Sequence, residues 1–178
     1  RCFGIDTDGS RIFVVGSTKS SSGIATPGAF LTTQQGDWDV FLACFQNDGT
    51  TNWASYYGGS GADSEFSGCI RHAGGNRFVI GGATSSTSGI STTNVFQETF
   101  QGAANDGFLA SFDRDGNRLW GTYIGTAGWE SIAGLDIDSE AAIAIFGQGS
   151  LSSTLAAFNN VHQSVLFTDA IFAGRMRS

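Results

Sequence analysis

Four aspartates sit in the spacing that calcium loops use. Asp6-Thr-Asp8-Gly9 and Asp113-Arg-Asp115-Gly116 each place two carboxylates two residues apart before a glycine. A tight turn of that kind aims several oxygens at one point. A full loop also needs a further Asp or Asn and a distant Glu, and neither follows here. Asx turns in hairpins account for Asp6, Asp8, Asp113 and Asp115 without an ion, so the expected metal set is empty. A second carboxylate pair, Asp63 and Glu130, is separated by 67 residues. Two carboxylates can hydrolyse a glycosidic bond. These two, however, are copies of one position, and the expected role is to accept hydrogen bonds from backbone N–H groups where the chain crosses between units.

Other catalytic signatures are missing from the sequence. His72 and His162 are the only histidines, in unrelated contexts, and no Gly-x-Ser-x-Gly elbow accompanies them. Gly58-Gly59-Ser60-Gly61 lacks the Lys-Ser/Thr that completes a phosphate loop. No catalytic residue and no cofactor is assigned. Trp53 and Trp120 are 67 residues apart in matching strand positions and read as packing between sheets. Trp38 and Trp129 lack an aromatic counterpart and fall in loops or at strand edges. They are the side chains most suited to stack against a glycan or a protein ligand.

The bulk composition narrows the partners. The net charge is −7, and Lys19 is the single lysine among nine basic residues. A nucleic-acid binder carries a basic stripe, and an anionic lipid surface needs the same. Both are excluded as expectations. No run reaches the roughly 18 apolar residues of a membrane-spanning helix. With 26 Gly, 15 Phe and only 14% charged residues, the chain reads as short strands joined by tight turns. Cys2, Cys44 and Cys69 have no metal-ligand spacing and read chiefly as small buried apolar groups.

The elements that must position these side chains repeat. Arg11-Ile-Phe-Val-Val-Gly16 recurs as Arg77-Phe-Val-Ile-Gly81 and as Ala142-Ile-Ala-Ile-Phe-Gly147, which places Gly81 opposite Gly16 in the alignment at an interval of 65. Asp39-Val-Phe-Leu-Ala-Cys-Phe45 recurs as Asp106-Gly-Phe-Leu-Ala-Ser-Phe112, and a third copy reads Asp169-Ala-Ile-Phe-Ala-Gly174. Trp53-Ala-Ser-Tyr-Tyr-Gly58 recurs as Trp120-Gly-Thr-Tyr-Ile-Gly125. Each period holds four apolar segments with Asp-Gly, Gly-Gly or Asn-Asp-Gly joints, which favour hairpin turns because glycine accepts positive φ. A longer loop, roughly Ser17 to Asp37, separates the second segment from the third. In the third segment alternate residues are apolar on both faces, so both faces require cover. The expected fold is all-β: a β-propeller segment of about three four-stranded antiparallel blades in an incomplete ring. Its units are residues 1–66, 67–132 and a truncated 133–178.

The run Thr26-Pro-Gly-Ala-Phe30, Asp39-Val-Phe-Leu-Ala and Trp53-Ala-Ser-Tyr-Tyr-Gly-Gly59, with Thr87-Ser-Gly-Ile90, resembles the SBBP-type β-propeller repeat. That family is typical of large secreted and surface proteins of Bacteroidota, some exported by the type IX system. The third copy departs from it, with Leu155-Ala-Ala-Phe158 in place of the Pro-Gly-Ala-Phe phrase. The resemblance implies a secreted or cell-surface location and a non-catalytic module for adhesion, binding or architecture. The alternatives are a carbohydrate-active propeller enzyme and a docking component of a larger surface or secretion complex. Because about three blades do not close a ring, the expected partner is the remainder of a longer chain or further copies of this one.

Overall fold

The computed structural model of the chain describes residues 1–150 and the backbone of residues 171–177. The third Asp-Ala-Ile-Phe segment is thus seen only as a strand path, while His162 and the Leu155–Phe158 phrase lie outside the described residues. Among the described residues all regular structure is β, and every named strand pair is antiparallel. The first sheet is a meander of β1 (Cys2–Thr7), β2 (Arg11–Thr18), β3 (Asp39–Gln46) and β4 (Thr51–Tyr57). The second repeats it with β5 (Asp63–His72), β6 (Arg77–Thr84), β7 (Asp106–Asp113) and β8 (Arg118–Ile124). The third has β9 (Glu130–Ile137), β10 (Ala142–Gly149) and β11 (Ile171–Arg177).

The joints follow the turn residues. Gly9, Gly49, Gly74, Gly75 and Gly116 all have positive φ, between 58° and 89°. The sheets stack face to face, with β5 against β1 and β2, and β9 against β5 and β6. Alternation along each strand sends side chains to both interfaces. In the middle sheet Phe78, Ile80, Phe108 and Phe112 pack toward the first sheet, whereas Val79 and Leu109 pack toward the third. All six are almost fully buried. Trp53 and Trp120 are partly buried against these two clusters, one at each interface.

The ladders correct the alignment of the repeat by one residue. Gly16 pairs with Phe41, and Gly82, not Gly81, pairs with Phe108. The Gly81-Gly82 doublet conceals this in the sequence; the cross-strand phenylalanine decides it. A Cβ on Gly16 would lie 2.4 Å from the Phe41 ring and 2.0 Å from the Arg1 carbonyl oxygen. A Cβ on Gly82 would lie 3.0 Å from Phe108 and 2.0 Å from Ser64 Oγ. The glycine is required because a large ring lies flat across the neighbouring strand.

The long β2–β3 loop is not idle chain. It runs beside β4, where Thr26 N–H donates to the Ala54 carbonyl at 2.8 Å and Tyr56 N–H to the Leu31 carbonyl at 3.1 Å. The second sheet repeats the device, with Thr92 N–H on Gly121 and Tyr123 N–H on Gln97. The loop thereby covers an edge that would otherwise present unpaired backbone groups. Gly16→Ala should destabilise the fold by about 1–3 kcal/mol through overpacking against Phe41 and backbone. Urea denaturation measures it, and Gly23→Ala, at a loop glycine with open space around it, serves as the comparison for a φ penalty alone.

Candidate functional site

Two buried acids mark the start of each four-stranded unit's main strand and the crossing to the next. Asp39 opens β3 and accepts hydrogen bonds from Gln35 N–H at 2.8 Å and Gly36 N–H at 3.1 Å. Asp106 opens β7 and accepts from Gln101 N–H and Gln97 Nε2, both at 2.9 Å. Asp63, at the start of β5, accepts from Gly59 N–H at 2.8 Å, Ser86 Oγ at 2.9 Å and Thr84 Oγ1 at 2.5 Å. Glu130, at the start of β9, accepts from Thr126 N–H at 3.0 Å. The role expected for Asp63 and Glu130 is therefore the one the geometry displays. Asp39 and Asp106 escaped notice as clamps because an aspartate opening a strand is unremarkable until the loop folds back onto it.

The acids meet in pairs around a glycine. A Cβ on Gly58 would come within 2.4 Å of Asp63 Oδ2 and 3.0 Å of Asp39 Cγ. Gly125 stands in the same relation to Asp106. Burial pushes Asp63 up to about 6, against three hydrogen bonds that favour its charged form, and the nearby Asp39 adds to the rise. Burial also raises Asp39 and Asp106. Apart from Asp106 Oδ1, which is buried without a hydrogen-bond partner, these oxygens accept from backbone amides, an amide side chain and hydroxyls of the protein itself, so the pairs act as loop clamps.

The calcium-spaced aspartates form a different device at the opposite ends of the strands. The β1–β2 and β7–β8 turns meet across the interface between the first two sheets. Arg11 pairs with Asp115 and Arg114 with Asp8, each at 3.0 Å. Asp8 Oδ1 also accepts from the N–H groups of Ser10 and Arg11 at 2.8 Å. Burial opposes its charge, but the bonds to Ser10 and Arg11 and the Arg114 charge hold it below the usual carboxylate range. Asp113 Oδ1 accepts from Asp115 N–H and Asn117 N–H at 2.9 Å. Asp6 reaches across to His72 N–H at 2.7 Å. Asp8 and Asp115 are thus drawn together through arginines, while Asp6 and Asp113 serve other partners. Among the described residues no group of three or more His, Cys, Asp or Glu side chains converges as an ion would require.

Trp38 and Trp129 turn out to be two halves of one repeated bridge. Trp38 bridges Ala62, and Asp63 N–H donates to the Trp38 carbonyl at 2.6 Å. In the next unit Glu130 N–H donates to the Asn105 carbonyl at 2.9 Å, so Trp129 stands where Ala62 stood. Both tryptophans therefore lie on the edge where the chain crosses between sheets. Trp38 is flanked by the Arg1 guanidinium at 4.6 Å and Lys19 Nζ at 5.1 Å. Trp129 is 44% exposed. The same edge holds Phe66, 77% exposed, with Arg1 5.3 Å from its ring. Phe66 is exposed because β5 bulges between Asp63 and Gly68, with Ser64 at φ 54°. No residue type or spacing announces that bulge.

All three cysteines are free thiols: Cys44 is buried, Cys69 half-buried and Cys2 exposed. Burial pushes the Cys69 thiol up to about 12, which leaves it protonated and inert. Comparison with protein-family models and with curated proteins finds no match.

The buried acids carry a pH dependence with a definite sign. Asp63 has a folded-state value above its unfolded value, so its contribution to stability is fully present below about 4 and is lost as pH rises through about 6. Urea melts should show stability falling by about 1–3 kcal/mol over that interval on account of this group. Asp63→Asn should flatten the slope; an unaltered slope would show that the carboxylate is not the source.

Proposed function

We propose that the chain is an arc of a β-propeller, and that it serves as a non-catalytic secreted or cell-surface module for adhesion, binding or architecture. The observation that carries the reading is the uncovered face of the first sheet. Ile5, Val14 and Ala43 form one cross-strand row there, and Ile12 and Phe45 the next. In the second sheet the corresponding rows are Ile70, Ile80 and Ala110, then Phe78 and Phe112. Those are almost fully buried beneath the first sheet, whereas Ile5 is 65% exposed and Phe45 only half-buried. Among the described residues the same pattern has a cover in one unit and none in the other. A preceding blade, from a longer chain or a second copy, is the cover this face fits.

The repeat's resemblance to the SBBP type supports the surface location and the propeller architecture. The commitment of Asp39, Asp63, Asp106 and Glu130 to loop clamping supports a scaffold over an enzyme. Trp38, Phe66 and Trp129 on the crossing edge supply contact groups for a glycan or protein ligand.

Light scattering on the 178-residue chain should report association, and Ile12→Glu with Phe45→Glu should yield monomer while the melting temperature moves little. A soluble wild-type monomer with a cooperative melt and no dye binding would count against the uncovered-face reading. Release of reducing ends from a polysaccharide by the same preparation would overturn the non-catalytic assignment.

A further inference from the structure

A groove of about 550 Å³ opens between the first and second sheets, away from the crossing edge. Its size lies within the range of small-ligand sites. Trp53 and Asn52 of β4 line it, together with the Thr26–Ala29 turn on one side and Arg11, Asp115 and Gly116 on the other. We propose that this groove is a saccharide-binding site that takes a short neutral oligosaccharide across Trp53 and the Arg11–Asp115 pair. The inference names a site and a ligand class for the binding activity proposed above and rests on that reading, though not on closure of a ring.

Three features argue for this chemistry. Trp53 is held in place before any ligand arrives. Its Nε1–H donates to the Arg114 carbonyl at 2.9 Å, and its ring lies nearly parallel to Phe78 at 6.1 Å. A Cβ on Gly116 would sit 2.9 Å from the indole, so only glycine lets the turn close on it. A fixed indole loses little entropy when a ligand meets the part of it that lines the groove. The facing wall is equally set: Thr26 and Ala54 are joined by hydrogen bonds in both directions, and Pro27, the only proline of the chain, stiffens the turn.

The polar groups select a neutral ligand. Arg11 and Asp115 are paired at 3.0 Å, with Asp115 69% exposed. An anion would compete with Asp115 for the guanidinium, and a cation would compete with Arg11 for the carboxylate. Neighbouring hydroxyls of a sugar accept from one and donate to the other without separating the pair. Asn52 lines the same wall, its amide held by Gln46 Nε2 and Cys44 Sγ.

Beside the equivalent indole of the second interface, the space among the described residues is smaller. There Arg77 and Trp120 take the places of Arg11 and Trp53, but Ala141 and Ile143 close over them. The remaining space is about 10 Å³, and no carboxylate lines it.

The test is a ¹H–¹⁵N NMR titration of the full chain with cellotetraose, xylotetraose, mannotetraose and the acidic tetragalacturonate. Probes at about 10 mM detect a Kd near 1 mM. A neutral tetrasaccharide should shift the Trp53 indole and the amides of Thr26–Ala29, Asn52 and Gly116 in a saturable way. Asp115→Ala, at an exposed turn, should weaken binding about tenfold while the amide spectrum remains that of the folded chain, so the test stands even where Trp53→Ala fails to fold. Shifts confined to Trp38, Phe66 and Trp129 would overturn this site while upholding a binding module. Preference for tetragalacturonate, or binding indifferent to Asp115→Ala, would overturn the ligand class. Absence of shifts with every probe would overturn the site, and the binding reading would then stand or fall on protein ligands.

Discussion

A strand with apolar side chains on both faces cannot be satisfied by a single sheet, and this requirement governs the molecule. Alternate residues of β7 point to opposite interfaces, with Phe108 and Phe112 on one side and Leu109 on the other. Each large apolar side chain gains about 1.5–3 kcal/mol on full burial. That gain is available only when sheets lie on both faces, so the middle sheet is sandwiched and the outer faces remain demanding. Close approach has its own condition. Phe41 and Phe108 lie across the neighbouring strand only because Gly16 and Gly82 have no side chain to meet them.

Stacked sheets leave two further problems, and the structure answers them with polar groups. The outer strand of each four-stranded sheet needs its edge filled, which the β2–β3 loop and its β6–β7 counterpart do by backbone hydrogen bonds. Those loops and the crossings between sheets must then hold their own amide groups. Asp39, Asp63, Asp106 and Glu130 accept from them, at the cost of carrying carboxylates into the interior. At the other ends of the strands the Arg11–Asp115 and Arg114–Asp8 pairs join the first sheet to the second. One end of the stack is thus tied by buried acids, and the other by ion pairs between turns.

Besides the outer face of the first sheet, this division leaves two places proposed for contact with other molecules. The crossing edge offers Trp38, Phe66 and Trp129, beside the cations of Arg1 and Lys19. The opposite side offers the groove floored by Trp53. Both depend on rigid neighbours. The scaffold reading and the saccharide groove are consistent with each other.

Much of this was legible in the sequence, because it depends on residue order along the chain. The repeat near 66 residues, the hairpin joints and the two-faced strands are local patterns, and they determined the all-β class, the strand order and the long second loop. The Asp63 and Glu130 clamps were legible too, since a shared position in a repeat identifies a shared structural task. What only tertiary structure decided involves residues far apart in the chain. Gly82 and not Gly81 matches Gly16, because Phe108 chooses its partner across a ladder. Trp38 and Trp129 became one bridge only when Asn105 and Ala62 were seen opposite them. Trp53 acquired a groove because the Thr26–Ala29 turn and the β7–β8 turn of the next sheet meet beside its indole. Sequence order determines which faces must be buried, but the identity of what buries them is set by the packing of the neighbouring sheet.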